Sequence, residues 1–193
     1  MKYFTELDLP IYDTLLLELE QLISSNVLNW GNQNQICLNS LLGFENDFHK
    51  GDGSLMFDWN NSKIDSVNGI ANVSNLLIKA EPLSESSFTV ICSQFKGTTF
   101  ETVYNMLNQY YVLGRVRLMN MKPKTCLSWH KDDSLRLHYP ILTQEGCFMV
   151  IADEVMHLTK DKWFMTDTTI QHTAFNGSKN SRIHLVATIL QIK

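Results

Sequence analysis

The stretch LSWHKDDSLRLHYPI, Leu127 to Ile141, places two histidines, two adjacent aspartates, an arginine and a tryptophan within fifteen residues. His130 and Asp132 are two apart. On an extended chain residues i and i+2 point the same way, so both would face one side and Lys131 the other. Forty-two residues after His130, QHTAFNG supplies His172 on another strand-like run. Two imidazoles and one carboxylate on one face of an octahedron leave three positions open, the ligand set that suits Fe(II) in non-haem oxygen chemistry. An H-x-D alone arises often by chance, and a lone strand histidine is more often a hydrogen-bonded core residue. Arg182 adds weight, because its guanidinium on the next strand suits a bidentate ion pair with the far carboxylate of a metal-chelating dicarboxylate. By alternation Arg182 shares a face with His184, and Arg136 with His138. Four such groups buried around nothing would be costly, so an anionic cosubstrate is the simplest occupant.

Other polar residues carry blander expectations. Asp133 points away from Asp132 and reads as a solvated turn residue. His157 reads as an edge-strand or surface histidine, and His49, in a Gly-rich loop, as solvent-exposed and without a partner. Trp129 alternates against His130 and is expected in the sheet's other face, while Trp163 and Phe164 read as core or pocket wall. Asn176 either supports His172 from behind or forms a turn with Gly177, the turn being favoured. Arg115 and Arg117 share a face and meet either an anionic substrate or the acidic N-terminal half.

The elements that must position these groups are short strands. From Gly114 onward eight strand-like runs follow one another: RVRLMNM, CLSWHKD, RLHYPIL, CFMVIAD, EVMHL, KWFMTD, IQHTAF and RIHLVATILQI. That spacing predicts a barrel-like sandwich of jelly-roll type. Earlier, PIYDTLLLELEQLIS from Pro10 puts Leu15, Leu19, Leu22 and Ile23 on one helical face. TTFETVYNMLNQYY predicts a second helix, with Thr98 and Glu101 as a capping box and Phe100, Val103, Tyr104, Leu107 and Tyr111 as its stripe. QICLN (35–39) and SLMFDW (54–59) read as strands, and the Gly/Asn/Asp/Ser-rich segments around them, including 60–69, as loops. The expected fold class is mainly β with flanking helices (α+β): one domain over 1–193, with a helical and irregular part at 1–111 supporting a double-stranded β-helix core, cupin-like, at 112–193.

Composition narrows the function. The 193 residues suffice for one hydrophobic core. A net charge of −4 argues against a nucleic-acid binder. Residues 114–193 nevertheless hold eleven Lys and Arg against seven Asp and Glu, with all four arginines and five of six histidines. Cations gathered in an otherwise acidic chain suit a bound small anion as well as they suit uneven surface charge. No apolar run approaches a membrane span, and MKYFTELDLPIYD lacks the apolar region of a signal peptide. Scattered cysteines without C-x-x-C pairs read as buried apolar residues in a reducing, cytoplasmic compartment.

Taken together, LSWHKDDSLRLHYPI, EGCFMVIADEVMHLTKDKWFMTD and TTIQHTAFNGSKNSRIHLVATI resemble the aspartyl/asparaginyl β-hydroxylase-like branch of the Fe(II)/2-oxoglutarate dioxygenases, over roughly residues 112–192. The resemblance implies a jelly roll, Fe(II) at His130, Asp132 and His172, and 2-oxoglutarate anchored by Arg182. It also puts Arg136 and His138 along the cosubstrate pocket. His184, Asn176 and Trp163 are further candidates for the pocket or its support. The vertebrate aspartyl hydroxylase lacks the carboxylate ligand, whereas this chain has Asp132, so a substrate does not carry over with the family. The expected activity is hydroxylation of an amino acid or a peptide or protein side chain, with O2 consumed and succinate and CO2 released. The alternatives are a non-oxygenase cupin-like metal protein, which would not need Arg182, and a jelly-roll binding module. Oligomeric state leaves no trace in the sequence.

Overall fold

Apolar periodicity and tertiary anchors together decide where the elements start. The computed structural model describes residues 2–53, 55, 66–67, 70–71 and 83–193. Its first part holds β1 (Phe4–Leu7), α1 (Leu15–Ser24), β2 (Gln35–Cys37), β3 (Asn39–Leu41), a hairpin of β4 (Ser66–Val67) with β5 (Ile70–Ala71), β6 (Phe88–Ile91) and α2 (Thr99–Tyr110). Eight strands follow: β7 (Tyr111–Met121), β8 (Thr125–Cys126), β9 (Leu135–Leu142), β10 (Cys147–Ile151), β11 (Glu154–Met156), β12 (Trp163–Thr166), β13 (His172–Asn176) and β14 (Arg182–Ile192). Apart from Leu55, the strand expected at 54–59 lies outside the described residues, as does most of the loop expected at 60–69.

Helix α1 starts at Leu15 rather than just after Pro10. The preceding segment is tied to the sheet instead: Trp163 Nε1 donates to Pro10 O at 2.8 Å and Tyr12 N donates to Tyr139 Oη at 2.8 Å. At α2, Thr98 Oγ1 accepts from Glu101 N at 3.4 Å, while Glu101 Oε2 reaches past Thr98 to Gly97 N at 2.7 Å. The box therefore closes one residue earlier than the pattern suggested. Tyr111 then turns extended and α2 runs directly into β7.

The last eight strands alternate between two antiparallel sheets. β7, β9, β12 and β14 lie in a six-stranded sheet of order β1-β12-β9-β14-β7-β2, and β8, β10, β11 and β13 in a four-stranded sheet of order β11-β10-β13-β8. This alternation is the double-stranded β-helix, and the expected jelly roll is the observed fold.

The larger sheet is apolar on its outer face. Leu118, Leu137, Tyr139, Leu185 and Trp163 pack there against Leu15, Leu19, Phe100, Val103 and Leu107 of the helices. Trp163 therefore belongs to this helix-facing core, with its ring centroid 4.7 Å from that of Tyr139, and not to a pocket wall. Between the sheets a smaller cluster of Phe4, Phe164, Met149, Ile151, Leu158 and Ala174 fills part of the barrel. The rest of the larger sheet's inner face is polar apart from Val186: Arg115, Arg117, Arg136, His138, Arg182, His184 and Thr188 are all buried. Three cysteines are buried and Cys126 is exposed, against the expectation for it, because β8 is an edge strand.

Candidate metal centre

The expected strand Cys126–Asp132 ends at Cys126, and the chain from Leu127 to Ser134 is irregular. His130 and Asp132 still converge, for a local reason. His130 forms an isolated bridge with His172, its N donating to His172 O at 3.1 Å and its O accepting from His172 N at 2.9 Å. Asp132 N then donates to Thr168 O at 2.8 Å. Two backbone anchors replace the strand and keep the i, i+2 relation. The same departure from the sheet leaves Trp129 54% exposed: no layer covers its side of the chain, contrary to expectation. Asp133 is exposed on a bend.

One donor atom from each of His130, Asp132 and His172 lies within 4.8 Å of the others. His172 Nε2 is 3.8 Å from Asp132 Oδ2, and the two imidazole centroids are 4.2 Å apart. His130 Nδ1 contacts Ser128 O at 2.7 Å and His172 Nδ1 contacts Ile170 O at 2.9 Å. A carbonyl only accepts, so each Nδ1 carries the proton and each Nε2 keeps a lone pair for a metal. Burial lowers the His172 pKa below its ordinary 6.5, which favours that neutral form. The donor set fits a divalent ion with open positions.

A second group lies along β9 and β14. Arg182 is buried, and burial lowers its pKa to about 10. Its NH2 donates to His184 Nδ1 at 3.0 Å, and that nitrogen lies 3.5 Å from His138 Nδ1. Because arginine only donates, the His184 proton sits on Nε2. Burial, reinforced by the Arg182 charge, pushes both imidazoles well below their usual range, so both are neutral. His138 Nε2, His184 Nε2 and Thr188 Oγ1 are buried without a hydrogen-bond partner among the described residues. Such orphaned groups are costly unless a ligand meets them.

A third group surrounds Glu85, which the sequence did not single out. Arg115 Nε and NH2 donate to Glu85 Oε1 at 3.1 and 2.8 Å, and Arg115 N donates to Oε2 at 2.9 Å. Burial opposes the Glu85 charge, but the bonds and charge of Arg115, with Arg136 and Arg117 behind, outweigh it and hold the carboxyl down to about 2. A Cβ on Gly114 would come within 2.9 Å of Glu85 Oε2 and 3.0 Å of Thr188 Cβ, so glycine admits the carboxylate here. Arg136 NH2 lies 3.6 Å from Glu85 Oε1, while its Nε donates to Asp132 Oδ2 at 3.0 Å and its NH1 to Ser134 Oγ at 2.8 Å. Arg115 thus meets an acid of the N-terminal half, whereas Arg117 meets Gln35 Oε1 and Gly53 O.

The remaining candidates are occupied elsewhere. Asn176 Nδ2 donates to Met121 O at 3.0 Å and Asn180 O at 2.8 Å, and its Oδ1 accepts from Ser178 N at 3.0 Å, so its amide serves the turn between β13 and β14. His157 Nδ1 contacts Cys147 O at 2.7 Å. His49 differs from expectation: it is only partly exposed and pairs with Asp52 at 2.8 Å and Asn29 Oδ1 at 3.2 Å.

Residues 79–191, more than half of the chain, match the model of the aspartyl/asparaginyl β-hydroxylase family. The chain belongs to this family. No curated protein matches the chain. Among solved structures it is similar to an oxidoreductase of the 2OG-Fe(II) oxygenase family from Burkholderia pseudomallei, at 14% identity and a TM-score of 0.44, covering 52% of this chain and 60% of that one. The chain thus spans about 60% of that protein's length. It is also similar to a collagen prolyl hydroxylase from Paramecium bursaria Chlorella virus-1, at 11% identity and a TM-score of 0.44, covering 97% and 91% of the two chains. For IDO from Bacillus thuringiensis the values are 10%, 0.48, 98% and 91%. No helix among the described residues is long and apolar enough to cross a membrane.

Proposed function

We propose that this hydroxylase-family chain is an Fe(II)- and 2-oxoglutarate-dependent dioxygenase acting on an amino acid or a peptide or protein side chain. One observation carries the reading: three convergent ligand atoms share a barrel with a buried arginine that has no carboxylate partner among the described residues. His130, Asp132 and His172 would hold the iron. Bound there, iron would supply O2 activation coupled to decarboxylation of 2-oxoglutarate to succinate and CO2, and the oxidising power to hydroxylate a C–H bond.

The chain's own residues would bind and orient. Arg182 is suited to the far carboxylate of the cosubstrate, where a charge-assisted fork gives both affinity and direction. The unpaired Nε2–H of His184 would add a neutral donor beside it. His138, also neutral, would line the path from Arg182 to the metal without adding charge. The backbone bonds to His130 and His172 Nδ1 would keep both rings in the tautomer that ligates. Phe164, Met149 and Ile151 would keep bulk water from the inner wall. Free, mostly buried cysteines fit a reducing, cytoplasmic setting.

The test is succinate formation from 2-oxoglutarate by the purified protein with Fe(II) and ascorbate, with His130→Ala and Arg182→Ala as controls. Metal-dependent succinate that falls in both variants supports the reading. Failure of the parent to bind or consume 2-oxoglutarate while it retains iron would remove it.

A further inference from the structure

Of the four buried arginines, two have carboxylate partners: Arg115 with Glu85, and Arg136 with Asp132. Arg182 and Arg117 have none among the described residues. Arg182 is accounted for by the proposed cosubstrate, and Arg117 is left over.

Arg117 stands on the inner face of β7. It is paired directly across from Val186 on β14, which is in turn across from His138 on β9. Among the described residues only its NH1 is engaged, donating to Gln35 Oε1 at 3.0 Å and to Gly53 O at 3.3 Å. Its Nε is buried without a partner. Nε belongs to the edge of a guanidinium that grips a carboxylate with two parallel bonds. Burial, aided by the neighbouring Arg115 charge, lowers the Arg117 pKa to about 10, which leaves it cationic at neutral pH.

Two features keep this cation from serving the same ligand as Arg182. Arg182 pairs with Met121, four residues further along β7, which is roughly 13 Å at strand spacing. Their surroundings also differ: Arg117 shares its space with Arg115, Glu85 and Arg136, and Arg182 with His184 and His138. Asp132 is tied to Arg136, so the Arg117 group reaches the candidate metal centre through that ion pair. Charge agrees with geometry. Arg115 and Arg136 each sit within ion-pair distance of a carboxylate, and Arg117 does not among the described residues.

We propose that Arg117 binds a carboxylate of the primary substrate, so that the enzyme acts on a small carboxylic acid of the amino-acid class rather than on a neutral molecule. The inference rests on the dioxygenase reading, in which Arg182 already holds the cosubstrate. Arg117 is then the residue that sets substrate class, and Arg136 is an internal ion-pair partner of Asp132.

The experiment is calorimetric titration of the Ni(II)- and 2-oxoglutarate-loaded protein with common free amino acids, each beside its α-carboxamide. Parent, Arg117→Gln, Arg117→Lys and Arg182→Ala proteins are compared. At least one acid should bind the parent about tenfold or more tighter than its amide. Arg117→Gln should abolish that preference while affecting 2-oxoglutarate far less, and Arg182→Ala should do the reverse. Arg117→Lys, which keeps the charge without the fork, should be intermediate, and it serves if the Gln variant does not fold. Equal binding of acid and amide by the parent, no binding of any acid, or an unchanged preference in both Arg117 variants would overturn the proposal. A failed dioxygenase reading shows differently, as a parent that does not bind 2-oxoglutarate or an Arg182→Ala protein that binds it normally.

Discussion

Arg136 Nε donates to Asp132 Oδ2 at 3.0 Å, so the carboxylate of the candidate metal centre is held by a buried arginine four residues along the chain. The other end of that guanidinium lies 3.6 Å from Glu85, which Arg115 grips in turn. A line of ion pairs, Arg115–Glu85–Arg136–Asp132, therefore connects the segment before α2 to the metal centre. This changes what Arg136 is expected to do. The family resemblance put it along the cosubstrate pocket, whereas here its Nε is bonded to Asp132.

Arg136→Gln should accordingly weaken the metal, by about 10- to 100-fold in affinity, as outer partners of metal ligands generally do. Anaerobic titration with Fe(II) or Co(II) measures this directly. If the metal dissociation constant is unchanged and only substrate-stimulated turnover falls, the contact with Asp132 is incidental.

His130→Ala and His172→Ala should each remove most bound Fe(II), as read by metal analysis after gentle dialysis. The bridge between the two residues is backbone to backbone and survives either change, so the loss of metal reads the imidazole itself. Zn(II) or Ni(II) in the purified parent would be compatible with the site, since both outrank Fe(II) for nitrogen and oxygen ligands. Iron retained at parental levels in both variants would end the assignment.

The residues that converge here were legible to different degrees. Alternation singled out His130 with Asp132 and Arg182 with His184, because period 2 survives even where a strand is reduced to one bridge. The jelly roll was legible from eight short runs bounded by turn residues. Glu85 was not, because nothing in its local sequence distinguishes a carboxylate that will meet two buried arginines from a solvated one. Gly114, a glycine directly before Arg115, was the available hint, since a close approach often needs the missing Cβ. Trp129 was misplaced, and Trp163 was left open between core and pocket wall, for one shared reason. Alternation gives the face of a side chain but not what lies over that face, and here the helices cover the outside of the larger sheet while nothing covers the turn at Trp129.

Arg182→Ala should raise the 2-oxoglutarate dissociation constant by about ten- to hundredfold, the equivalent of roughly 1.5–3 kcal/mol for a charge-assisted bidentate contact. Arg182→Lys should fall between parent and Ala. Metal content should stay near parental in both, since Arg182 touches His184 and none of the three candidate ligands. Parental cosubstrate affinity in both variants would move the anchor to another residue.

The last expectation concerns acid stability and Glu85. Its carboxyl is held at about 2 in the fold, against an ordinary 4.5. A carboxyl depressed by folding binds protons more readily in the unfolded chain, so its contribution is present above about pH 4.5 and is lost as pH falls towards 2. Over that window the linkage amounts to roughly 3 kcal/mol. Glu85→Gln removes the titration and leaves Arg115 and Arg136 without their shared counter-charge, which should cost about 3–5 kcal/mol at neutral pH. Urea unfolding of parent and variant, followed from neutral pH to about pH 3, should therefore show two curves that converge as the medium becomes acid. Curves that stay parallel throughout would mean that Glu85 does not carry the acid sensitivity, and that the ion-pair line to Asp132 contributes little to the stability of the fold.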